Sequence, residues 1–427
     1  MTEGTLKREV GVFGAAMMGL GSMVGTGVFV SIGVAAGVIS SAVILAIALA
    51  ALVATCNALS SAQLAASMPV SGGSYEYGYA YLTPWLGFTA GWMFLCAKTA
   101  SAATAALGFS GYLLQLLGLQ SLVVPIAVAA VAALTAIVVM GIRRSNFTNI
   151  IIVSVTLFAL GFFVLASLPG MRSDNWIPFF QPSRDDGEAW TAFLQATALM
   201  FVAFTGYARI ATLGEEMRDP TRNIPRAIVV TLIISSLIYI AVGAVGIGTV
   251  GADKLAEAAA TEVAPLVIAA KTFDVPIAYW IVGIGAVTAM LGVALNLILG
   301  LSRMLLAMGR RRDMPGLFAE VNSSGSPVSA IIAVGIGIAA LALIGNVETT
   351  WSFSAFTVLI YYAITNLAAL RLPQENRLYP RAVAWCGLLA CLSLAFFVER
   401  EIWMVGIGLI AAGLIWHATA RYLMRQR

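Results

Sequence analysis

The chain has 427 residues, of which 60% are hydrophobic and 10% are charged, and its formal net charge is +4. A soluble globular domain is typically about half apolar and about a quarter charged, so this composition excludes a water-soluble fold. It favours an all-α integral membrane protein surrounded by membrane lipid, because a helix satisfies its own backbone hydrogen bonds. The small net charge gives no reason to expect a nucleic-acid partner.

Twelve apolar segments are long enough to be predicted as membrane-spanning helices, and we number them as spans 1 to 12 (12 TM). In chain order they cover residues 10–38, 40–66, 85–116, 121–141, 148–168, 189–214, 225–250, 275–308, 327–346, 349–371, 380–398 and 402–424. Because their number is even, both termini are expected on the same side of the membrane.

Lysine and arginine are distributed unevenly between the two sides. With the termini in the cytoplasm, 17 of the 24 Lys and Arg residues fall inside and five fall outside, as the positive-inside rule requires. We therefore expect a multi-pass protein of the cell inner (cytoplasmic) membrane with both termini cytoplasmic. The connecting segments are too short for a soluble domain, and the sequence has no metal-ligand cluster or cofactor motif. We predict no enzymatic activity and no cofactor.

Spans 1 and 6 contain stretches that are not expected to be regular helix. Span 1 has four glycines between positions 19 and 27, and span 6 has Phe204-Thr205-Gly206-Tyr207 near its middle. Glycine lowers the cost of non-helical backbone, and unwound backbone survives in a bilayer only where it lines a protein-enclosed cavity. We predict that both spans are broken. The alternative is that the glycines only allow close helix packing.

The two broken spans begin two groups of five. Residues 10–168 form a first repeat (spans 1–5), residues 189–371 form a second (spans 6–10), and residues 380–424 add two peripheral spans. Five is odd, so the second repeat is expected to run inverted, and the substrate site of such transporters lies between the broken helices. Free N–H groups there attract a carboxylate, and free carbonyls attract an ammonium. A zwitterionic amino acid offers both charges.

Several motifs carry a resemblance to a known family. They read GSMVGTGVF at 21–29, MPVSGGSY at 68–75, FTGY at 204–207, IATLGEE at 210–216, DP at 219–220 and IPRAI at 224–228. In this order they resemble the amino acid–polyamine–organocation (APC) superfamily, closest to the bacterial relatives of cationic amino acid transporters. The resemblance implies a permease with the LeuT-type 5+5 inverted repeat and two additional helices.

The resemblance also implies which residues bind the substrate. Its carboxylate would meet backbone N–H groups of span 1, its amino group would meet carbonyls of spans 1 and 6, and aromatic side chains of span 6 would close the site. The residues implied are Gly25, Thr26 and Gly27 for the carboxylate, Met23, Val202 and Thr205 for the amino group, and Gly206 with the gate candidates Phe201, Phe204 and Tyr207.

Two charged residues lie within the predicted spans. Residues 289–294 of span 8 hold no hydroxyl or carboxylate for Na⁺, and the position on span 5 where sodium-independent relatives often carry a lysine is Thr156. Lys98 lies in the middle of span 3, where a lysine is too deep to reach water easily. We predict sodium-independent transport in which Lys98 replaces the sodium charge or cycles with a proton. The alternative is a permanently paired lysine that ties helices together.

Arg209 lies on span 6 just beyond the predicted break. A positive charge there disfavours Arg or Lys as the substrate. We interpret Arg209 as a gate or as one half of a scaffold ion pair with Glu76, Glu215 or Glu216, in preference to a direct substrate contact.

These observations predict a secondary active transporter that carries small neutral amino acids by alternating access, by proton-coupled symport or by exchange (antiport). The alternative is a basic amino acid/polyamine antiporter, although spans 1, 3, 6, 8 and 10 offer no carboxylate at mid-depth. A sensor that binds without transport is a third class, which the short tails disfavour. The tryptophans, most of them near span ends, are interpreted as interfacial anchors. We assign no function to His417.

Overall fold

The computed structural model describes residues 10–69, 72–119, 121–140, 146–182, 188–211, 217–261, 264–273, 275–322 and 326–425. Within these ranges the chain is built from helices. They are α1 (Val12–Met23), α2 (Thr26–Phe29), α3 (Ser31–Ile39), α4 (Val43–Ser67), α5 (Ser74–Tyr81), α6 (Pro84–Leu117), α7 (Val123–Val139), α8 (Asn146–Ser167), α9 (Ala189–Ala203), α10 (Ala208–Ala211), α11 (Pro220–Val250), α12 (Ala252–Ala260), α13 (Pro265–Ala270), α14 (Ala278–Arg310), α15 (Val328–Ile344), α16 (Val347–Arg371), α17 (Arg381–Ala395) and α18 (Arg400–Arg425).

Each predicted span corresponds to one or more of these helices. Eight helical stretches of the described chain are long and apolar enough to cross a membrane. Four shorter helices are also apolar: α1, α7, α15 and α17. The predicted all-α membrane protein is confirmed in this form, while the count of twelve spans and the inverted repeat stay predictions.

Helix ends follow local sequence signals. α6 begins with Pro84 in its first turn, where the missing N–H costs nothing, and it ends at Gly118, whose left-handed φ of 69° favours glycine. The side chain of Asn346 accepts a hydrogen bond from the Thr349 N–H at 2.8 Å and caps the start of α16. These signals explain why the long helices begin and end close to the predicted boundaries.

Three short helices lie in segments that the sequence treats only as connections. α5 follows span 2, and α12 and α13 lie between α11 and α14. α5 begins after Gly72 and Gly73, whose φ angles of 125° and 54° allow the chain to turn sharply. All three helices are too short to span a bilayer, so hydropathy over a span-length window does not detect them.

The packing of the long helices surrounds α1, α2, α9 and α10 with protein. α6 packs along α14 and α16, α4 packs against α9 and α11, and α1 packs against α8 and α11. Residues 10 and 217 form a short parallel bridge next to the start of α1. Backbone that is not helical in this centre is therefore shielded from lipid, as a bilayer requires.

Candidate functional site

The first helix is interrupted between α1 and α2. α1 ends at Met23, and Val24 (φ −82°, ψ 87°) and Gly25 (φ −166°, ψ −114°) leave the helical conformation before α2 begins at Thr26. No side chain caps the start of α2. The first N–H groups of a helix have no partner within it, so this interruption supplies donors at the position that the sequence predicts.

The sixth predicted span is also interrupted. α9 ends at Ala203, and a 3₁₀ turn covers Thr205–Tyr207 before α10 begins at Ala208. The Thr205 hydroxyl donates to the Val202 carbonyl at 2.7 Å. The turn therefore replaces the regular α-helical pattern in the middle of the predicted span.

The two interruptions pack directly against each other through glycine. A Cβ on Gly206 would lie 2.4 Å from Met23 Cγ and 2.6 Å from the backbone of Ser22, and a Cβ on Gly27 would lie 2.7 Å from the Cβ of Ala203. Each broken helix thus presents a glycine to the backbone of the other. Both interpretations of the glycines apply, because the helices are broken and the same residues allow their close approach.

Tyr239 of α11 links the two interruptions. Its hydroxyl lies 2.7 Å from the Met23 carbonyl oxygen and 3.0 Å from the Ala203 carbonyl oxygen. Its ring packs on Phe204 with 4.9 Å between centroids. These carbonyls belong to the last turns of α1 and α9, where no helical N–H is available to them. No local sequence signal marks Tyr239, because its contact with Met23 joins residues more than 200 positions apart.

Two neighbouring cavities lie beside the interruptions. The larger has a volume of about 110 Å³, and the smaller has a volume of about 30 Å³. The larger is lined by Ser22, Gly72, Phe94, Lys98, Thr205, Gly206, Ala208, Arg209, Val293, Asn296, Leu297, Gly300, Arg303 and Met304. The smaller is lined by Ser22, Met23, Thr26, Gly27, Lys98, Ser101, Val202, Ala203, Thr205, Val293, Leu297 and Trp351.

Lys98 lines both cavities and contacts the second interruption. Its ammonium donates to the Thr205 hydroxyl at 2.7 Å, and only 7% of the residue is exposed. Among the residues that the structure describes, Lys98 has no carboxylate partner. An ammonium carries three donors, so its bond to one neutral hydroxyl leaves capacity for a ligand. The bond also joins span 3 to span 6, so the choice between a coupling lysine and one that ties helices together stays a prediction.

The hydroxyl of Thr26 is a second group with unused capacity. Thr26 is 3% exposed, lines the smaller cavity, and its Oγ1 has no hydrogen-bond partner within the described chain. Buried hydroxyls are usually bonded. A polar ligand in the smaller cavity would supply the missing partner.

The structure brings most of the predicted substrate-binding residues to the cavities. Met23, Thr26, Gly27, Val202 and Thr205 line the smaller one, and Gly206 with Thr205 lines the larger. Gly25 lines neither, because its backbone packs against Val293. Thr156 lies away from both, and its hydroxyl donates to the Ile152 carbonyl at 2.9 Å.

The three aromatic gate candidates pack into the surrounding protein. Phe201, Phe204 and Tyr207 are fully buried and line neither cavity. The aromatic walls are instead Phe94 of α6 and Trp351 of α16. Trp351 is 3% exposed and its Nε1 donates to the Leu199 carbonyl at 2.9 Å. The interpretation of the tryptophans as interfacial anchors is wrong for Trp351. Although it lies near a helix end, it is buried inside the bundle and lines the smaller cavity.

Two residues of α14 extend the polar lining of the larger cavity. Asn296 and Arg303 lie seven positions apart, which places them on one face of a helix. Asn296 lies two residues beyond positions 289–294, where no sodium ligand was found. Its polar side chain within an otherwise apolar span is the sequence feature that could have identified it.

Arg209 lines the larger cavity, and it makes an interaction within the protein. Of its three proposed partners, Glu76 is ion-paired with Arg311, and Glu215 and Glu216 lie outside the described residues. The role of Arg209 therefore stays a prediction.

Comparison with known proteins finds relatives that are transporters. A family model described as amino acid permease matches residues 14–422. An uncharacterized transporter of Mycobacterium tuberculosis (strain H37Rv) is 40% identical over 422 residues, covering 99% of this chain and 93% of the relative. A branched-chain amino acid permease of Bacillus subtilis is 26% identical over 448 residues, covering 97% and 91%. A methylthioribose transporter of the same organism is 30% identical over 380 residues, covering 83% and 80%.

Proposed function

The chain belongs to the amino acid permease family, within the predicted APC superfamily, and from this premise we propose that it carries small neutral amino acids by alternating access. Transport is independent of sodium and coupled to protons or to exchange. The observation that carries the proposal is the pair of cavities between two interrupted helices, where Lys98 and Thr26 have unused hydrogen-bonding capacity. The named substrate of the branched-chain relative belongs to the same class.

The substrate carboxylate would lie at the start of α2. The N–H groups of Thr26 and Gly27 are the first of that helix, and both residues line the smaller cavity. The positive end of a helix and its free donors favour an anion. The Thr26 hydroxyl would add one further donor.

The substrate amino group would meet carbonyls of the two interruptions. The Met23 carbonyl accepts from the Tyr239 hydroxyl at 2.7 Å, and the Thr205 carbonyl accepts from the Tyr362 hydroxyl at 3.2 Å. A carbonyl oxygen has two lone pairs, so the Thr205 carbonyl can accept a second hydrogen bond, whereas the Met23 carbonyl already accepts one from the Gly25 N–H at 3.0 Å as well. The bonds that are present hold these carbonyls in place for the substrate.

The charge of the cavities favours a substrate without a basic side chain. The larger cavity is lined by Lys98, Arg209 and Arg303, and among the residues that the structure describes no carboxylate lines either cavity. A cationic side chain would enter a poorly hydrated space without a counter-charge, which is costly. The small volumes favour short side chains for the same site.

Lys98 is the proposed coupling residue. It contacts the neutral Thr205 hydroxyl and reaches both cavities. A fixed ammonium would replace the charge of a sodium ion, whereas a lysine that loses its proton would couple transport to a proton gradient. Either role places a positive charge beside the interruption that the substrate contacts.

The proposed architecture follows from the same helices. Residues 10–168 and 189–371 would form two inverted repeats of five spans, and residues 380–424 would add two peripheral spans. The interrupted helix of each repeat stands at its beginning, as in inverted-repeat transporters. Both termini would lie on the cytoplasmic side of the cell inner membrane, where most of the Lys and Arg residues are predicted to lie.

A transport assay with purified protein in liposomes tests the function. Each of the twenty amino acids is offered with and without pH and sodium gradients, and methylthioribose and a polyamine are included as alternatives. We expect accumulation of small neutral amino acids that is unaffected by sodium. Preference for lysine, arginine or the polyamine would overturn the proposed substrate class, and dependence on sodium would overturn the coupling.

A further inference from the structure

A buried carboxylate outside the two cavities joins three separate helices. Asp313, just after α14, is 2% exposed. The hydroxyls of Tyr75 and Tyr79 in α5 each donate to its Oδ2 at 2.6 Å. On α18, His417 Nδ1 lies 3.1 Å from Oδ1, and Trp416 Nε1 donates to the Asp313 carbonyl at 2.9 Å. We call these five residues the Asp313 cluster.

The cluster holds its carboxylate in a defined place. A buried charge is costly unless it is bonded or paired, and here both oxygens of Asp313 have partners. Burial, and then hydrogen bonding to Asp313, raise the pKa of Tyr75 and of Tyr79 far above the ordinary value. Both phenols therefore stay protonated and donate at any physiological pH.

His417 is fixed from its other side as well. Its ring stacks on Phe88 of α6 with 4.5 Å between centroids. Within the described chain neither ring nitrogen makes a hydrogen bond, so the close approach of Nδ1 to Asp313 Oδ1 at 3.1 Å is the polar contact of the ring. The position of α18 is thereby linked to that of the carboxylate.

A second contact fastens α5 at the same end of the bundle. Arg311 forms an ion pair with Glu76, and its guanidinium lies 4.5 Å from the centroid of the Tyr79 ring. The hydrogen bonds that the guanidinium donates to the Glu76 carboxylate raise the pKa of Arg311. α5 is thus attached to the segment after α14 through both its acidic and its aromatic side chains.

α5 also stands beside the larger cavity. Gly72, two residues before α5, lines that cavity together with Met304 of α14. The Ser74 hydroxyl, at the start of α5, lies 2.6 Å from the Thr365 hydroxyl of α16. A displacement of α5 would therefore move part of the cavity wall.

We infer that Asp313 and His417 are positioning residues that hold α5 against the larger cavity, so that the last helix, α18, controls access to the site from this end. The inference rests on the proposed transport function for its biological meaning. Its physical content, the position of α5, can be measured without a substrate.

Chemical labelling of a cysteine in the cavity measures this access. Gly300 lines the larger cavity, and a Cβ there would meet no atom within 4 Å, so Gly300→Cys introduces a reporter without a clash. The full chain is reconstituted in liposomes, and a membrane-impermeant maleimide is applied from each side. Protein without Gly300→Cys gives the background from the four native cysteines.

Asp313→Asn and His417→Leu are compared with the parent in this assay. We expect the labelling rate from the Asp313 side to rise at least about threefold in both variants, because each loses a contact of the buried carboxylate. Trp416→Phe is the matched control, since it removes the bond to the Asp313 backbone and leaves the carboxylate contacts intact. We expect its rate to stay within about twofold of the parent, because the contacts of the carboxylate that hold α5 are unchanged.

The outcomes separate this inference from the proposed function. Unchanged labelling in folded Asp313→Asn and His417→Leu proteins would overturn it, as would an equal rise in Trp416→Phe. If Asp313→Asn does not fold, His417→Leu and Tyr79→Phe decide by the same criterion. A parent that transports no amino acid but shows the expected labelling pattern would overturn the proposed function and leave this inference standing.

Discussion

Two buried polar regions of the bundle differ in how completely their polar groups are bonded. In the Asp313 cluster, carboxylate Oδ2 accepts two hydrogen bonds and Oδ1 lies 3.1 Å from His417 Nδ1. Beside the interrupted helices, the Thr26 hydroxyl has no described partner and the Lys98 ammonium has one. Unsatisfied buried groups are destabilising, and Thr26 and Lys98 differ from the others in facing a cavity where a ligand would complete them. The comparison assigns binding to the cavities and positioning to the cluster.

The largest loss of uptake is expected from adding a methyl group where the two interruptions already touch. In Gly206→Ala the new Cβ would lie 2.6 Å from the Ser22 backbone, which cannot move aside as a side chain can. Overpacking of this kind costs about 2 kcal/mol, so we expect initial uptake in liposomes to fall about thirtyfold or more.

Gly161→Ala is the matched control, because a Cβ at Gly161 would meet no atom within 4 Å. It should transport like the parent. If Gly206→Ala keeps full uptake, the close contact between the interruptions is not needed for transport.

The next effect concerns the charge in the cavities. Lys98→Met removes the ammonium and its bond to Thr205. A hydrogen bond to a charged group contributes about 1.5–3 kcal/mol, so we expect uptake to fall about tenfold. Uptake by the parent and the variant is measured across pH, and equal transport at every pH would remove Lys98 from the mechanism.

Lys98→Arg sharpens this test. Arginine keeps its charge throughout the accessible pH range. If Lys98 only replaces a sodium charge, the K98R variant should retain exchange and the pH response of the parent. If Lys98 cycles with a proton, K98R should exchange substrate but lose accumulation driven by a pH gradient.

The sequence predicted the interrupted helices more fully than it predicted the site around them. Glycine and hydropathy act locally, so the breaks near Gly25 and Gly206 and the long apolar helices could be inferred from short windows. Tyr239, Trp351 and Asn296 reach the site through packing between distant segments, which no local pattern encodes. The family resemblance also implied the gate candidates Phe201, Phe204 and Tyr207, but these residues line neither cavity.

The Asp313 cluster was missed for a related reason. His417 and Asp313 are about a hundred positions apart, and each is an ordinary polar residue near a helix end when the sequence is considered alone. α5, which contributes two tyrosines, is shorter than the windows used to find spans. The contact exists only because α18 packs beside α6, and that packing is a property of the folded bundle.

A smaller effect is expected from the link between the two interruptions. Tyr239→Phe removes the hydroxyl that reaches the Met23 and Ala203 carbonyls. A neutral hydrogen bond contributes about 1 kcal/mol, so we expect uptake to fall about fivefold. Tyr279→Phe is the control, since its hydroxyl donates to the Gln115 carbonyl away from both cavities. An equal loss in both variants would show a general effect of removing a tyrosine hydroxyl that bonds a backbone carbonyl.

The smallest effect is expected from Thr→Val substitutions at two buried sites. One should change substrate binding and the other should change protein stability. Thr26→Val removes a hydroxyl that has no described partner, so the unfolding temperature should not fall, while KM should rise about threefold if the substrate supplies the missing bond. Thr104→Val removes a hydroxyl that donates to the Ala100 carbonyl at 3.0 Å and lies 2.8 Å from the Thr350 hydroxyl. It should lower the unfolding temperature and leave KM unchanged. The comparison fails if Thr26→Val destabilises the protein as Thr104→Val does, because the Thr26 hydroxyl would then be part of the scaffold.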